Sequence, residues 1–285
     1  MKHNKKSANA NIPKGILLTA KVLQKLSSDL TVKFAQKLFA TPLKHKIPKR
    51  EFEMEENTIQ KLLKIPEIGK EVMVYEYGKS DKKVLLVHGW SGRGTQLVKI
   101  ADALIDLGYQ TISFDAPAHG KSSGNTTLMT DFIASVMEIE KHYGPFEFAI
   151  GHSLGGMTVL NSIKQGLQVK KAVIIGSGDS VTDILKDFIG KLKLKAIYVQ
   201  KMKEAFENEL NGDMESYSGY VAAEAVSVPF LVIHDKDDED VPYRASENIV
   251  KHLKQGSLYL TEGLGHRKIL GDKKVIETLL QFLAN

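Results

Sequence analysis

Apolar positions along the chain fall into two spacings that take turns. Short dense runs, EVMVYEYG, KKVLLVHGW, YQTISFDAP, FEFAIGHS, KKAVIIGSG, PFLVIHDK and SLYLTEG, begin at about Glu71 and read as β-strands. VLLV and AVIIG are continuously apolar, which suits parallel strands buried on both faces. Between them GTQLVKIADALIDLG, DFIASVMEIEKHYG, GGMTVLNSIKQG and SENIVKHLKQG carry helical spacing, most of them closed by glycine. Strand and helix in alternation predict right-handed βαβ units, hence an α/β fold with a doubly wound, mostly parallel sheet.

One interval breaks the rhythm. Residues 181–225 read as helix throughout, with Lys191, Lys193, Lys195, Lys201 and Lys203 ahead of Glu204, Glu207, Glu209, Asp213 and Glu215. We read it as a helical cap inserted over the carboxyl ends of the strands, where ligands bind in open α/β sheets. Upstream, ILLTAKVLQKLSS and LTVKFAQKLF are amphipathic helix patterns, the second stopping before Pro42. The expected organisation is an N-terminal helical extension over 1–70, a core segment over 71–180, the cap over 181–225 and a second core segment over 226–285.

Composition narrows the class without choosing it. With 42% hydrophobic and 26% charged residues, the 285-residue chain has the balance of an ordinary globular protein. The net charge of +5 draws partly on Lys2, Lys5 and Lys6, and no basic-aromatic patch suggests nucleic acid as a partner. There is no cysteine, which removes disulfides, thiolate-metal sites and a cysteine nucleophile, and suits a reducing, cytoplasmic setting. The apolar piece at residues 15–18 is cut by Lys21 and Lys25, so a secretory signal is not expected, nor is a membrane span. Lysine-flanked amphipathic helices can lie on anionic lipid as a peripheral contact, but covering their own domain is the favoured reading.

Candidate chemistry begins at Gly151-His152-Ser153-Leu154-Gly155, which fits G-x-S-x-G between an expected strand and an expected helix. A serine on such a turn is lifted off the sheet, and the small neighbours avoid clashes; the plainer alternative is a turn that lets a helix pack close to a sheet. His266, among glycines after the last strand, is the candidate base, since it alone of the nine histidines follows every other element. His88 and His234 read as structural hydrogen-bonders at strand ends. HDKDDEDVP at 234–242 offers the acid that would orient the base, with Asp237, Asp238 and Asp240 as candidates and Asp179 as a weaker one. The backbone N–H groups of Trp90, in HGW after a strand, and of Leu154 are candidate oxyanion donors. A phosphate-binding turn at that strand end lacks G-x-x-x-x-G-K-[ST] and the third glycine of G-x-G-x-x-G.

HGW at 88–90, DAPAHGKS at 115–122, GHSLGG at 151–156, HDKDDEDVP at 234–242 and GHRKIL at 265–270, in that order, resemble the α/β-hydrolase fold superfamily in its serine esterase/lipase-like branch. The resemblance covers roughly residues 71–285 apart from the cap. It implies Ser153 as nucleophile, His266 as base, Trp90 and Leu154 as oxyanion donors, and Asp238 as acid, because related sequences often carry the acid four residues after a histidine and three before Val-Pro. Ala118 stands where the D-x-x-G-x-G loop of relatives has glycine. HGW in place of HGGG makes triple-glycine lipases a poorer match, and the serine nucleophile disfavours dehalogenase and epoxide hydrolase branches.

The expected function is a carboxylesterase-like serine hydrolase, without cofactor or metal, cleaving a small-molecule ester or thioester through an acyl-enzyme. An amidase or peptidase with the same residues, or a non-catalytic binding protein on a hydrolase scaffold, are the alternatives. Phe188, Ile189, Leu194, Ile197, Tyr198, Met202 and Phe206 are the cap's candidates for an acyl pocket, unless that stripe is the face by which the cap packs.

Overall fold

In the computed structural model, which describes residues 12–285, the dense apolar runs become one eight-stranded sheet. The lysines at positions 2, 5 and 6 lie outside the described residues. The strands are β1 (Ile59–Ile65), β2 (Lys70–Tyr77), β3 (Lys83–Val87), β4 (Gln110–Asp115), β5 (Phe148–His152), β6 (Lys171–Ile175), β7 (Phe230–Asp235) and β8 (Gly256–Thr261). Their spatial order is β1-β2-β4-β3-β5-β6-β7-β8. β2 runs antiparallel to β1 and β4, and the strands from β4 to β8 are mutually parallel.

Alternation along each strand assigns its side chains to two layers. Leu85 and Val87 of β3 face one side, where α5 (Met129–Tyr143), α6 (Leu154–Lys164), α9 (Gly219–Ala225) and α10 (Arg244–His252) pack. Val84 and Leu86 face the other, against α4 (Val98–Asp106) and α12 (Lys273–Ala284). Burial on both faces explains why VLLV and AVIIG are continuously apolar.

β1 is a strand that the apolar pattern does not announce. Its residues IQKLLKI are mostly exposed and only Ile65 is buried, because it is an edge strand formed by pairing with β2, Leu62 opposite Met73. The helical extension expected over 1–70 therefore stops short, and the chain enters the sheet at Ile59 just after the short helix α3 (Phe52–Glu56).

A third apolar cluster lies off the sheet. It joins α1 (Lys14–Leu26) and α2 (Ser28–Phe39) to α7 (Val181–Lys191) and α8 (Ile197–Leu210), which occupy the interval 181–225 with α9. Ala20, Val32 and Ala35 meet Leu185, Met202 and Phe206, and the Phe39 ring stands edge-on to Phe188 with centroids 5.1 Å apart. Ser27 caps α2 by accepting from the Leu30 N–H, and Ser180 caps α7 by accepting from Asp183. The outer face of the first two helices keeps Leu18, Val22, Leu26 and Leu30 exposed. Among the described residues no helix is long and apolar enough to cross a membrane.

Candidate active site

Ser153 sits where β5 turns into α6, with φ 55° and ψ −121°. That is a strained backbone for a residue bearing a Cβ, and it persists only where the surroundings over-determine it. Both flanking glycines are steric necessities. A Cβ on Gly155 would strike the carbonyl oxygens of Val87 and His88, and one on Gly151 would strike the backbone of Gly155. The close-packing explanation of this glycine-rich turn and the nucleophile explanation are thus compatible: helix α6 approaches β3 so closely because residue 155 has no side chain. Gly155→Ala is expected to lower stability by about 3 kcal/mol, the upper end of overpacking costs, because backbone oxygens cannot step aside. A thermal melt showing an unchanged Tm would contradict that packing.

His266 lies on the short helix α11 (Gly265–Lys268) and lines a cleft that Ser153 also lines. Gly263 and Gly265, with φ of 83° and 62°, let the loop adopt left-handed turns. Asp235 pins the loop by accepting from the N–H groups of Leu264 and Gly265, at 3.1 and 2.9 Å. The imidazole Nδ1 then lies 2.7 Å from Asp238 Oδ2. Of the acidic run, only Asp238 is brought to His266. Asp237 accepts from the Gly263 N–H at 2.8 Å, Asp240 faces open clefts, and Asp179 accepts from Asn248 at 2.8 Å.

Asp238 is equipped to stay ionised while buried. Its Oδ1 accepts from the backbone N–H groups of Asp240 and Val241, both at 2.9 Å, and His234 Nε2 stands 3.3 Å from Oδ2. Burial by itself would raise the carboxyl pKa, but the hydrogen bonds from His234 and His266 outweigh it and hold the group well below the ordinary carboxylate range. His234 is the structural hydrogen-bonder expected at the end of its strand, bonded also to Ser246 and the Val241 carbonyl.

Across the serine, Gly89 and Trp90 follow β3. A Cβ on Gly89 would come within 2.9 Å of Ser153 Cβ, so glycine is what allows this loop to pass over Ser153. Neither the Trp90 nor the Leu154 N–H donates a hydrogen bond among the described residues. The loop itself is tied down by groups that no local motif exposes. Gln96 Oε1 accepts from Gly89 N–H at 3.2 Å, His119 Nε2 accepts from Ser91 N–H at 3.0 Å, and Asp115 Oδ1 accepts from Gly94 N–H at 2.7 Å. Fully buried Glu51 takes Arg93 and Thr95 at 3.0 and 2.8 Å, although it comes from the N-terminal segment. Ala118, where the resemblance leads one to expect glycine, does adopt φ 65°, and its N–H bonds to the Ser123 carbonyl.

Three histidines beneath the site are neutral. His88 Nε2 accepts from Ala116 N–H at 2.9 Å, so its proton is on Nδ1, which donates to the Gly89 carbonyl. His119 is arranged likewise, accepting from Ser91 and donating to Pro117. His152 Nε2 donates to the His266 carbonyl at 2.9 Å, while its buried Nδ1 has no partner. Burial lowers the pKa of all three, to about 4 for His119, about 3 for His152 and well below the usual range for His88. Among the described residues, no group of three or more histidine and acidic side chains is placed to hold a metal ion.

Two clefts meet at Ser153. One, about 570 Å³, runs beneath the helices and is lined by Leu38, Phe39, Leu128, Met157, Ile184 and Phe188, among others. The second, about 1250 Å³, lies over His266 and the Gly89–Arg93 loop. Of the cap residues proposed as acyl-pocket candidates, only Phe188 reaches the first cleft. Ile189, Leu194, Tyr198, Met202 and Phe206 are buried in the packing stripe and Ile197 is exposed, so the pocket wall comes instead from α2, the start of α5 and the inner face of α7.

Comparison with known proteins agrees with this architecture. A family model described as alpha/beta hydrolase fold matches residues 82–213. A curated relative, the 2-hydroxy-6-oxononadienedioate/2-hydroxy-6-oxononatrienedioate hydrolase of Escherichia coli (strain K12), is 28% identical over 134 residues, 43% of this chain and 46% of the relative. The match thus spans about half the length of that curated relative. Among solved structures, the esterase EaEST from Exiguobacterium antarcticum superposes with a TM-score of 0.63 at 17% identity, covering 80% of this chain and 100% of that one. Est1E from Butyrivibrio proteoclasticus, solved with ferulic acid, gives 0.60 at 17% identity, covering 79% and 100%. Strand order, family model and solved folds converge on one architecture, and the chain has the α/β-hydrolase fold.

Proposed function

We propose that the chain is a serine hydrolase that cleaves a carboxylic ester or thioester through an acyl-enzyme. Ser153 is the nucleophile, His266 the general base and then acid, and Asp238 the residue that fixes the imidazole. The observation that carries this reading is the 2.7 Å contact between His266 Nδ1 and Asp238 Oδ2, with His266 lining the same cleft as a serine held at φ 55°. A buried anion on Nδ1 leaves Nε2 as the basic nitrogen and stabilises the imidazolium formed when the serine proton is taken. Trp90 and Leu154 N–H groups serve as the oxyanion donors, each worth about 3 kcal/mol to the transition state. The name of the curated relative, a hydrolase, supports the same class of reaction.

Covalent labelling tests the assignment directly. A fluorophosphonate probe is expected to modify the chain stoichiometrically, with the adduct on the peptide that contains Ser153 and none on the Ser153→Ala variant. Labelling of a different serine, or none, would remove the reading. A panel of acyl esters, thioesters and amides on the labelled-competent protein then ranks the substrates.

A further inference from the structure

The two clefts differ in charge as well as in shape. The larger is lined by eight lysine and arginine side chains against two carboxylates, Glu51 and Asp240. Glu51 is already committed to Arg50 and Arg93. Lys46, Lys193, Arg267 and Lys268 have no ion-pair partner among the described residues. The smaller cleft is the reverse, with five carboxylates at its rim, Lys191 as its sole cation and an apolar interior. Both reach Ser153, so a substrate straddling the serine meets opposite chemistry on its two sides.

Resting on the serine-hydrolase reading, we propose that the substrate is an acyl ester or thioester whose leaving group carries phosphate. The acyl chain lies in the apolar cleft, and the phosphate-bearing alcohol or thiol lies in the basic cleft. The acidic rim repels the phosphates and the unpaired cations attract them, which sets one orientation across the serine. In that orientation Ser153 Oγ bonds to the acyl carbon as the carbon–oxygen or carbon–sulfur bond breaks. The serine proton passes through His266 to the departing alcohol or thiol, and water then cleaves the acyl-serine to give a carboxylic acid.

Two substrate pairs test this on the full chain. Octanoyl-coenzyme A is compared with octanoyl-pantetheine, and an octanoyl glycerol phosphate with the same octanoyl glycerol, with p-nitrophenyl octanoate measured alongside. The phosphate-bearing member of one pair is expected to have a kcat/KM about tenfold higher at low salt. The preference is expected to shrink toward unity near 1 M salt, where the screening length is only about 3 Å. The pair that shows it tells a soluble phosphorylated carrier from a lipid headgroup. Lys46→Glu combined with Lys193→Glu is expected to collapse the ratio, whereas Lys251→Glu on α10 keeps it. Ratios near one in both pairs, with p-nitrophenyl octanoate turned over, overturn the proposal and leave the serine reading standing. If no ester is cleaved and the fluorophosphonate probe finds no serine, that reading fails and the proposal fails with it.

Discussion

Ser153→Ala is expected to lower kcat on a short acyl ester by on the order of 10⁶-fold, the loss typical when residues that act as a unit lose their nucleophile. Asp238→Asn is expected to cost about 10⁴-fold, because an amide on Nδ1 stabilises the wrong tautomer and cannot balance the imidazolium. The pairing of these two numbers is informative. A residue that only shapes the loop would change KM, whereas Asp238→Asn is expected to keep KM near its parent value. Asp240→Asn serves as the internal control: its carboxylate lies on the cleft surface away from Nδ1 and its loss is expected to leave kcat within a few-fold. Steady-state kinetics on p-nitrophenyl esters check all three. An Asp240→Asn defect as deep as that of Asp238→Asn would relocate the acid, and an active Ser153→Ala would remove the acyl-enzyme altogether.

How far this site was legible from the sequence depends on how local each signal is. Ser153 needs only five residues and a strand before them, and its strained turn is visible as two glycines that any β-carbon would violate. His266 follows from chain order and from glycines that fold as left-handed turns. Asp238 is different, because residues 234–242 offer several equivalent carboxylates and their register relative to His266 is decided by the long-range hydrogen bond that Asp235 accepts from Gly265 N–H and by the one that Val241 N–H donates to Asp238. Resemblance to relatives singled it out where residue chemistry could not. Glu51 and Gln96, which hold the Gly89–Thr95 loop, had no such signal: a glutamate in a lysine-rich segment reads as solvated until the fold buries it against Arg93 and Thr95. The acyl-pocket wall failed for the opposite reason. Apolar periodicity in the cap marks burial, but not whether the buried face meets a cleft or another helix, and here α2 and α8 cover most of it.

Acid is expected to unfold this protein well above the range in which its carboxylates titrate. His88, His119 and His152 are buried and neutral, and for two of them a backbone N–H points at Nε2, so a proton there would face a donor. Their folded pKa values lie at about 4 for His119, about 3 for His152 and well below normal for His88, while an unfolded histidine titrates near 6.5. A depressed histidine pKa means that the unfolded chain binds more protons, so stability falls as pH drops below about 6.5 and continues to fall until the folded values are reached. Each histidine contributes a slope of about 1.4 kcal/mol per pH unit, so three together approach 4 kcal/mol per unit. Between pH 6.5 and 5, with the slope only half developed at the upper end, that removes about 5 kcal/mol, the whole stability of a marginal domain. Asp238 does not offset it, since its depressed pKa supplies stability that is lost only as pH falls below about 4. Thermal melts from pH 7.5 to 4.5 are therefore expected to show a flat Tm above pH 7 and a steep fall beginning near pH 6.5. His119→Gln keeps an acceptor for Ser91 without a titrating ring, and is expected to lower the slope by about a third. A Tm that stays level down to pH 5 would mean that these rings accept protons in the folded state, against the hydrogen bonds that hold them.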